Sequence, residues 1–144
     1  MAWKTPKTDW YGVTNTETGE YTGDRFNIED FNRIKNNLDY LRELAIKMYD
    51  EFSIVSLGSD RGYADYFYAD EINQLEENLK TINKNTLQRA YGNPPIYVAN
   101  GNTMDFTELN RLEGAILDLY DRLTNESEGR RMFTWNFGMK GGEL

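Results

Sequence analysis

Neither cysteine nor histidine occurs in the 144 residues. The first absence excludes disulfides and thiolate chemistry and leaves the compartment open. The second removes the side chain best suited to acid–base work near neutral pH, and the commonest zinc ligand. Basic charge is also short: 16 Lys and Arg face 24 Asp and Glu, a net charge of −8. Neutralising phosphates takes clustered cations, so no nucleic-acid partner is expected. No run approaches the roughly 20 apolar residues needed to cross a bilayer, and the N-terminus lacks the apolar stretch of a signal peptide. The expectation is a soluble chain with no membrane partner. What is abundant is aromatic: 14% of residues, ten of them tyrosine, which argues against a disordered polar chain.

Three segments align without a gap. They are Phe26-Asn-Ile-Glu-Asp-Phe-Asn-Arg-Ile-Lys-Asn-Asn-Leu-Asp-Tyr-Leu41, Phe67-Tyr-Ala-Asp-Glu-Ile-Asn-Gln-Leu-Glu-Glu-Asn-Leu-Lys-Thr-Ile82 and Met104-Asp-Phe-Thr-Glu-Leu-Asn-Arg-Leu-Glu-Gly-Ala-Ile-Leu-Asp-Leu119. Their shared asparagines are Asn32, Asn73 and Asn110, so the steps are 73 − 32 = 41 and 110 − 73 = 37. Unequal steps suggest duplicated helical hairpin units with variable loops. Each copy reads as a helix start. Asp105 and Glu108 suit a capping box, with Met104 stapled to Leu109. In the same frame Asn27 caps, Asp30 is the third-position acid and Phe26 staples to Phe31. The second copy pairs Phe67 with Ile72, but its cap position holds Tyr68, a poor capper.

Apolar residues keep a three-to-four rhythm after each start: Phe31, Ile34, Leu38, Leu41, Ala45 and Met48; Ile72, Leu75, Leu79, Ile82 and Leu87; Leu109, Leu112, Ile116, Leu119 and Leu123. This predicts helices over 28–51, 69–90 and 106–125, the second stopped by Gly92 and Pro94-Pro95. One apolar stripe each makes a mainly α protein, a small three-helix bundle over 26–128. The connections 52–66 and 91–103 are long for a bundle, and Tyr63, Tyr66 and Tyr97 suggest that they pack down. Residues 1–25 and 129–144 read as extended, aromatic-rich arms. Trp3, Trp10 and Tyr11 in one, with Phe133, Trp135 and Phe137 in the other, are candidate partner-binding residues. Either arm has two fates: to fold back on the bundle, or to dock on a neighbouring subunit.

Other features read as structural. Asn32, Asn73 and Asn110 point to helix-start hydrogen bonding rather than assembly contacts. Arg33 and Arg111 fit a solvated helix face better than a partner's salt bridge. Glu76 with Glu77, and Asp118 with Asp121, stand without a cleft motif and are not read as catalytic pairs. Residues 60–65 lack the alternating ligands of a calcium loop. Gly138-Met-Lys-Gly-Gly142 lacks phosphate-loop spacing. No enzyme activity, cofactor or metal is expected.

Trp3-Lys-Thr-Pro-Lys-Thr-Asp-Trp10, followed by Gly23-Asp-Arg-Phe-Asn-Ile-Glu-Asp-Phe-Asn-Arg-Ile-Lys-Asn-Asn-Leu38, resembles the opening of tail-associated proteins from phages and prophages of Firmicutes. These begin with tryptophans in a Lys-Thr-x-Trp setting and continue into a short helix of the Asp-Leu-Asn-Arg-Ile-Glu-x-Asn type, matched by Asp30, Phe31, Asn32, Arg33, Ile34 and Asn37. The resemblance covers about residues 3–41, and the internal copies carry a weaker likeness to about 120. In that group the segment stands ahead of fibre, collagen-like or receptor-binding regions and is thought of as an attachment end. The resemblance implies a virion structural protein, homo-oligomeric in the assembly and bound to other tail or baseplate proteins. No distal fibre or binding region follows the repeats, so a connector or adaptor is expected rather than a receptor binder. The alternative is a free, small helical regulator or inhibitor that binds one protein.

Overall fold

The computed structural model describes residues 3–24, 26–62, 69–92, 94–97 and 106–139, without the side chains of Thr14, Tyr21 and 130–139. Three helices carry the fold: α1 (Ile28–Ala45), α2 (Ala69–Asn85) and α3 (Phe106–Met139). A two-stranded antiparallel hairpin, β1 (Gly12–Thr14) and β2 (Tyr21–Gly23), precedes them, with Val13 opposite Thr22. The three-helix bundle expected from the stripes is present. Phe31, Ile34, Leu38, Leu41 and Ala45 of α1 are buried with Ile72, Leu75, Leu79 and Ile82 of α2. Leu109, Leu112, Ile116, Leu119 and Leu123 of α3 complete the core. Each large side chain so buried contributes roughly 1.5–3 kcal/mol.

The start of α1 follows the capping chemistry. Asn27 sits in extended backbone, its side chain accepts from the Glu29 and Asp30 amides, and Asp30 accepts from the Asn27 amide. The ends differ from expectation. α1 stops at Ala45, not 51, because residues 46–49 tighten into turns on the Leu44 and Ala45 carbonyls. α2 stops at Asn85, not 90. Gln88 takes a left-handed φ of 53° and donates to the Asn83 carbonyl, ending the helix before Gly92 and the prolines are reached. α3 continues to Met139 and replaces the extended arm expected from 129. One helical glycine, Gly129, costs about 1 kcal/mol and does not by itself end a helix. In the N-terminal arm the hairpin interrupts what was expected to be simply extended.

The helices run parallel, not as hairpins. Arg33, in the second turn of α1, meets Glu113 of α3, and Arg111 of α3 meets Glu76 of α2. Arg33, Arg111 and Glu113 lie near their helix starts and Glu76 near the middle of α2, while Arg61 bridges Asn32 of α1 and Glu71 in the first turn of α2. A parallel bundle must carry the chain back along the full helix before each new start. Seventeen residues of helix are about 25 Å long, and an extended chain covers that in about eight residues. The described residues of the long connections lie against the bundle as straps.

Candidate functional site

The repeated asparagines hold these straps. Asn32 of α1 donates to the Arg61 carbonyl at 2.8 Å and accepts from the Arg61 amide at 2.9 Å. Asn73 of α2 does the same to Tyr97, at 2.8 Å both ways. Asn110 of α3 does it to Trp10, at 3.1 and 2.8 Å. A side-chain carboxamide thus makes one rung of a ladder with a single backbone residue. The expected helix-start hydrogen bonding of these asparagines is overturned: Asn27 caps α1 as expected, and the motif asparagine acts across space.

A second rung lies five residues further along two helices. Asn37 pairs with the Lys4 amide and carbonyl at 3.0 and 2.8 Å, and Asn78 with those of Val55 at 3.1 and 2.9 Å. Each strap therefore begins on its own helix and ends on another. Residues 4–10 run from α1 to α3 and 55–61 from α2 to α1, while Tyr91 meets α3 and Tyr97 meets α2. The three strap–helix units close a ring, each handing its strap to the next. The hairpin is an insertion in the first unit, between Trp10 and Asn27.

Charged groups fill the same ring. Glu113 is fully buried, and its carboxylate takes the Arg33 guanidinium at 2.8 Å through both oxygens, the Lys7 amide at 3.1 Å and the Trp10 indole N–H. Arg33 also pairs with Asp30 at 2.8 Å. Burial works against the Arg33 charge, but the hydrogen bonds and charges of Glu113 and Asp30 outweigh it and hold the guanidinium pKa above its usual value. Arg111 repeats the arrangement with Glu76 and, at 3.0 Å, Glu108. Burial pushes the Glu76 carboxyl up, against the pull of Arg111. At the third position α1 carries Lys35, which bonds the Gly58 carbonyl at 2.9 Å and Asp60 at 3.1 Å. Arg33 and Arg111 are thus internal ties, which corrects their reading as a solvated face.

The candidate partner-binding residues divide. Trp10 is 4% exposed, tilted 6.0 Å from the half-buried Phe26, with Lys7 at 5.3 Å and Arg33 at 6.0 Å from its ring. It is core, not an open contact. Trp3 stacks on Tyr120 at 3.9 Å and tilts against Tyr40 at 5.7 Å. Tyr11 is 64% exposed. Phe133, Trp135 and Phe137 lie on the last turns of α3, and their side chains are outside the described residues, as are Phe67, Met104, Asp105, Tyr63 and Tyr66. Tyr97 is buried as expected. Asn78, Glu113 and Lys35 were not singled out in the sequence, and Asn37 and Glu76 were named there without these roles. The signal was present for two of them, since Asn37 and Asn78 share a column of the aligned copies.

Asp118 accepts from the Tyr91 hydroxyl at 2.7 Å and pairs with Arg122, so it serves the third strap and not a carboxylate pair. Among the described residues no group of three or more acids could hold a metal ion, and no helix is long and apolar enough to cross a membrane. No family model, curated protein or solved structure matches the chain.

Proposed function

We propose that this chain is a non-enzymatic virion structural protein of a phage or prophage-derived particle, a tail or baseplate connector acting by protein–protein binding. The observation that carries this reading is how the residues of the family resemblance are used. Trp10 and Lys4 are clamped, Asn27 and Asp30 cap α1, Asn32 and Asn37 hold straps, and Arg33 ties α1 to α3. The motif's polar chemistry goes into building a preformed body, the expected property of an attachment module. Its partners are other tail or baseplate proteins, and it acts in several copies within the particle, having been made in the host cytoplasm. Mass spectrometry of gradient-purified particles from the induced source strain tests this. The chain is expected at a fixed ratio to the tail proteins. Intact particles that lack it, from a lysate that contains it, contradict the proposal.

A further inference from the structure

The three strap sites share one plan and are filled unequally. Three residues past each repeated asparagine the helix carries a charged residue, and three residues ahead of the clamped residue the strap answers it. In the first, the Lys7 amide donates to Glu113 at 3.1 Å. In the second, Lys35 donates to the Gly58 carbonyl at 2.9 Å. In the third, the residue that should answer Glu76 is Pro94, which has no N–H. Glu76 is 4% exposed. One of its oxygens meets Arg111, and the other, Oε1, is buried with no hydrogen-bond partner among the described residues.

The same strap lacks its second rung. In the other two, the residue six ahead of the clamp, Lys4 or Val55, is held through amide and carbonyl by Asn37 or Asn78. Here that residue is Tyr91, and Ala115 stands at the helix position. Tyr91 is held instead by its hydroxyl on Asp118 at 2.7 Å and by a 3.3 Å bond from Arg111 to its carbonyl. Gly92, Pro94, Pro95 and Ile96 are exposed, so Tyr97 is the one buried anchor among the described residues of this strap.

We propose that this third strap is a latch built into the fold, which opens as a unit while the helices and the other two straps stay closed. Opening any strap breaks its hydrogen bonds and wets what it covered. In the first two sites the groups uncovered are already satisfied, so water brings them little. In the third, water reaches a carboxylate oxygen that the closed strap leaves without a donor, and a cost of the closed state is relieved. The Asn73 rung and the burial of Tyr97 keep the latch shut at rest. No partner is required, and the inference goes beyond the virion reading and stands independently of it.

Native-state amide exchange of the full chain has a matched probe in each strap: the amides of Trp10, Arg61 and Tyr97, each donated to its asparagine. The third strap is one net hydrogen bond short of the first and has an oxygen without a donor, each worth about a fivefold factor. The Tyr97 protection factor is therefore expected about twentyfold below the other two. Its exchange is expected to be nearly independent of added denaturant, the mark of a local opening. Pro94→Ala gives the strap the missing N–H and is expected to raise Tyr97 protection about fivefold, leaving Trp10 and Arg61 unchanged. Asn78→Ala gives the second strap the alanine that the third has, and is expected to lower Arg61 protection about twentyfold, the worth of two bonds. Four results overturn the proposal. They are Tyr97 protection equal to that of Trp10 and Arg61, Tyr97 exchange that follows denaturant together with the helix amides, a Pro94→Ala protein with Tyr97 protection unchanged, or an Asn78→Ala protein with Arg61 protection unchanged.

Discussion

A primary carboxamide carries one donor face and one acceptor face, as a peptide unit does. That lets an asparagine on a helix pair with a strap that has no neighbouring strand. Lys4, Val55, Arg61, Trp10 and Tyr97 would otherwise each leave a backbone amide and carbonyl to find other partners. Aspartate keeps the shape and loses the donor. Asn37→Asp sets a buried carboxylate against the Lys4 carbonyl and is expected to cost roughly 2–4 kcal/mol at neutral pH. Acidification restores a donor, so part of the loss returns below the carboxyl's raised pKa. Chemical denaturation at pH 7 and pH 4 measures both effects. Glu76 has a related pH signature. Its folded pKa is raised, chiefly by burial. The contribution of its protonated form is therefore full below the unfolded pKa and lost as pH rises through the folded one. Wild type is expected to gain on Glu76→Gln as pH falls through that window. A stability difference flat in pH contradicts this.

At the scale of elements, the capping box of α1 and the apolar stripes were legible because both are local: a few residues in one helix decide them. Asn27→Ala is expected to cost about 1 kcal/mol in thermal unfolding. The hairpin was not legible, since three-residue strands leave too few positions to show alternation. Its register depends on Gly23, whose φ is 134° and whose absent Cβ would lie 2.5 Å from the Gly12 Cα. Gly23→Ala is expected to break the β1–β2 pairing, at about 1–3 kcal/mol, and to leave the bundle standing. Amide exchange checks this: loss confined to residues 12–23 fits, and loss across α1 does not. The extent of α3 was missed because Gly129 was given more weight than a single glycine deserves.

At the scale of the whole molecule, a helical stripe reports which face is buried but not which way the neighbouring helix runs. Parallel and hairpin bundles bury the same Leu38, Leu79 and Ile116. The evidence for direction lay in the connections, whose length suits a return along a whole helix better than a turn. It lay also in the alignment of Asn37 with Asn78, two polar residues in the middle of buried faces. Read together they imply something in each groove for an asparagine to hold. The ring of strap–helix units follows from that arrangement, as does the unequal filling that leaves Glu76 short of a donor.

The direction of the helices is open to direct measurement, because a chain without cysteine accepts paired labels cleanly. Glu29, Asp70 and Lys84 are exposed, at the starts of α1 and α2 and the end of α2. Spin labels at Glu29→Cys and Asp70→Cys are compared with labels at Glu29→Cys and Lys84→Cys by pulsed dipolar spectroscopy. Parallel helices place the first pair closer, with the second farther apart by an appreciable part of the roughly 20 Å between positions 70 and 84 along α2. The reverse order, with residue 29 nearer to residue 84, would mean a hairpin bundle and would remove the strap ring altogether.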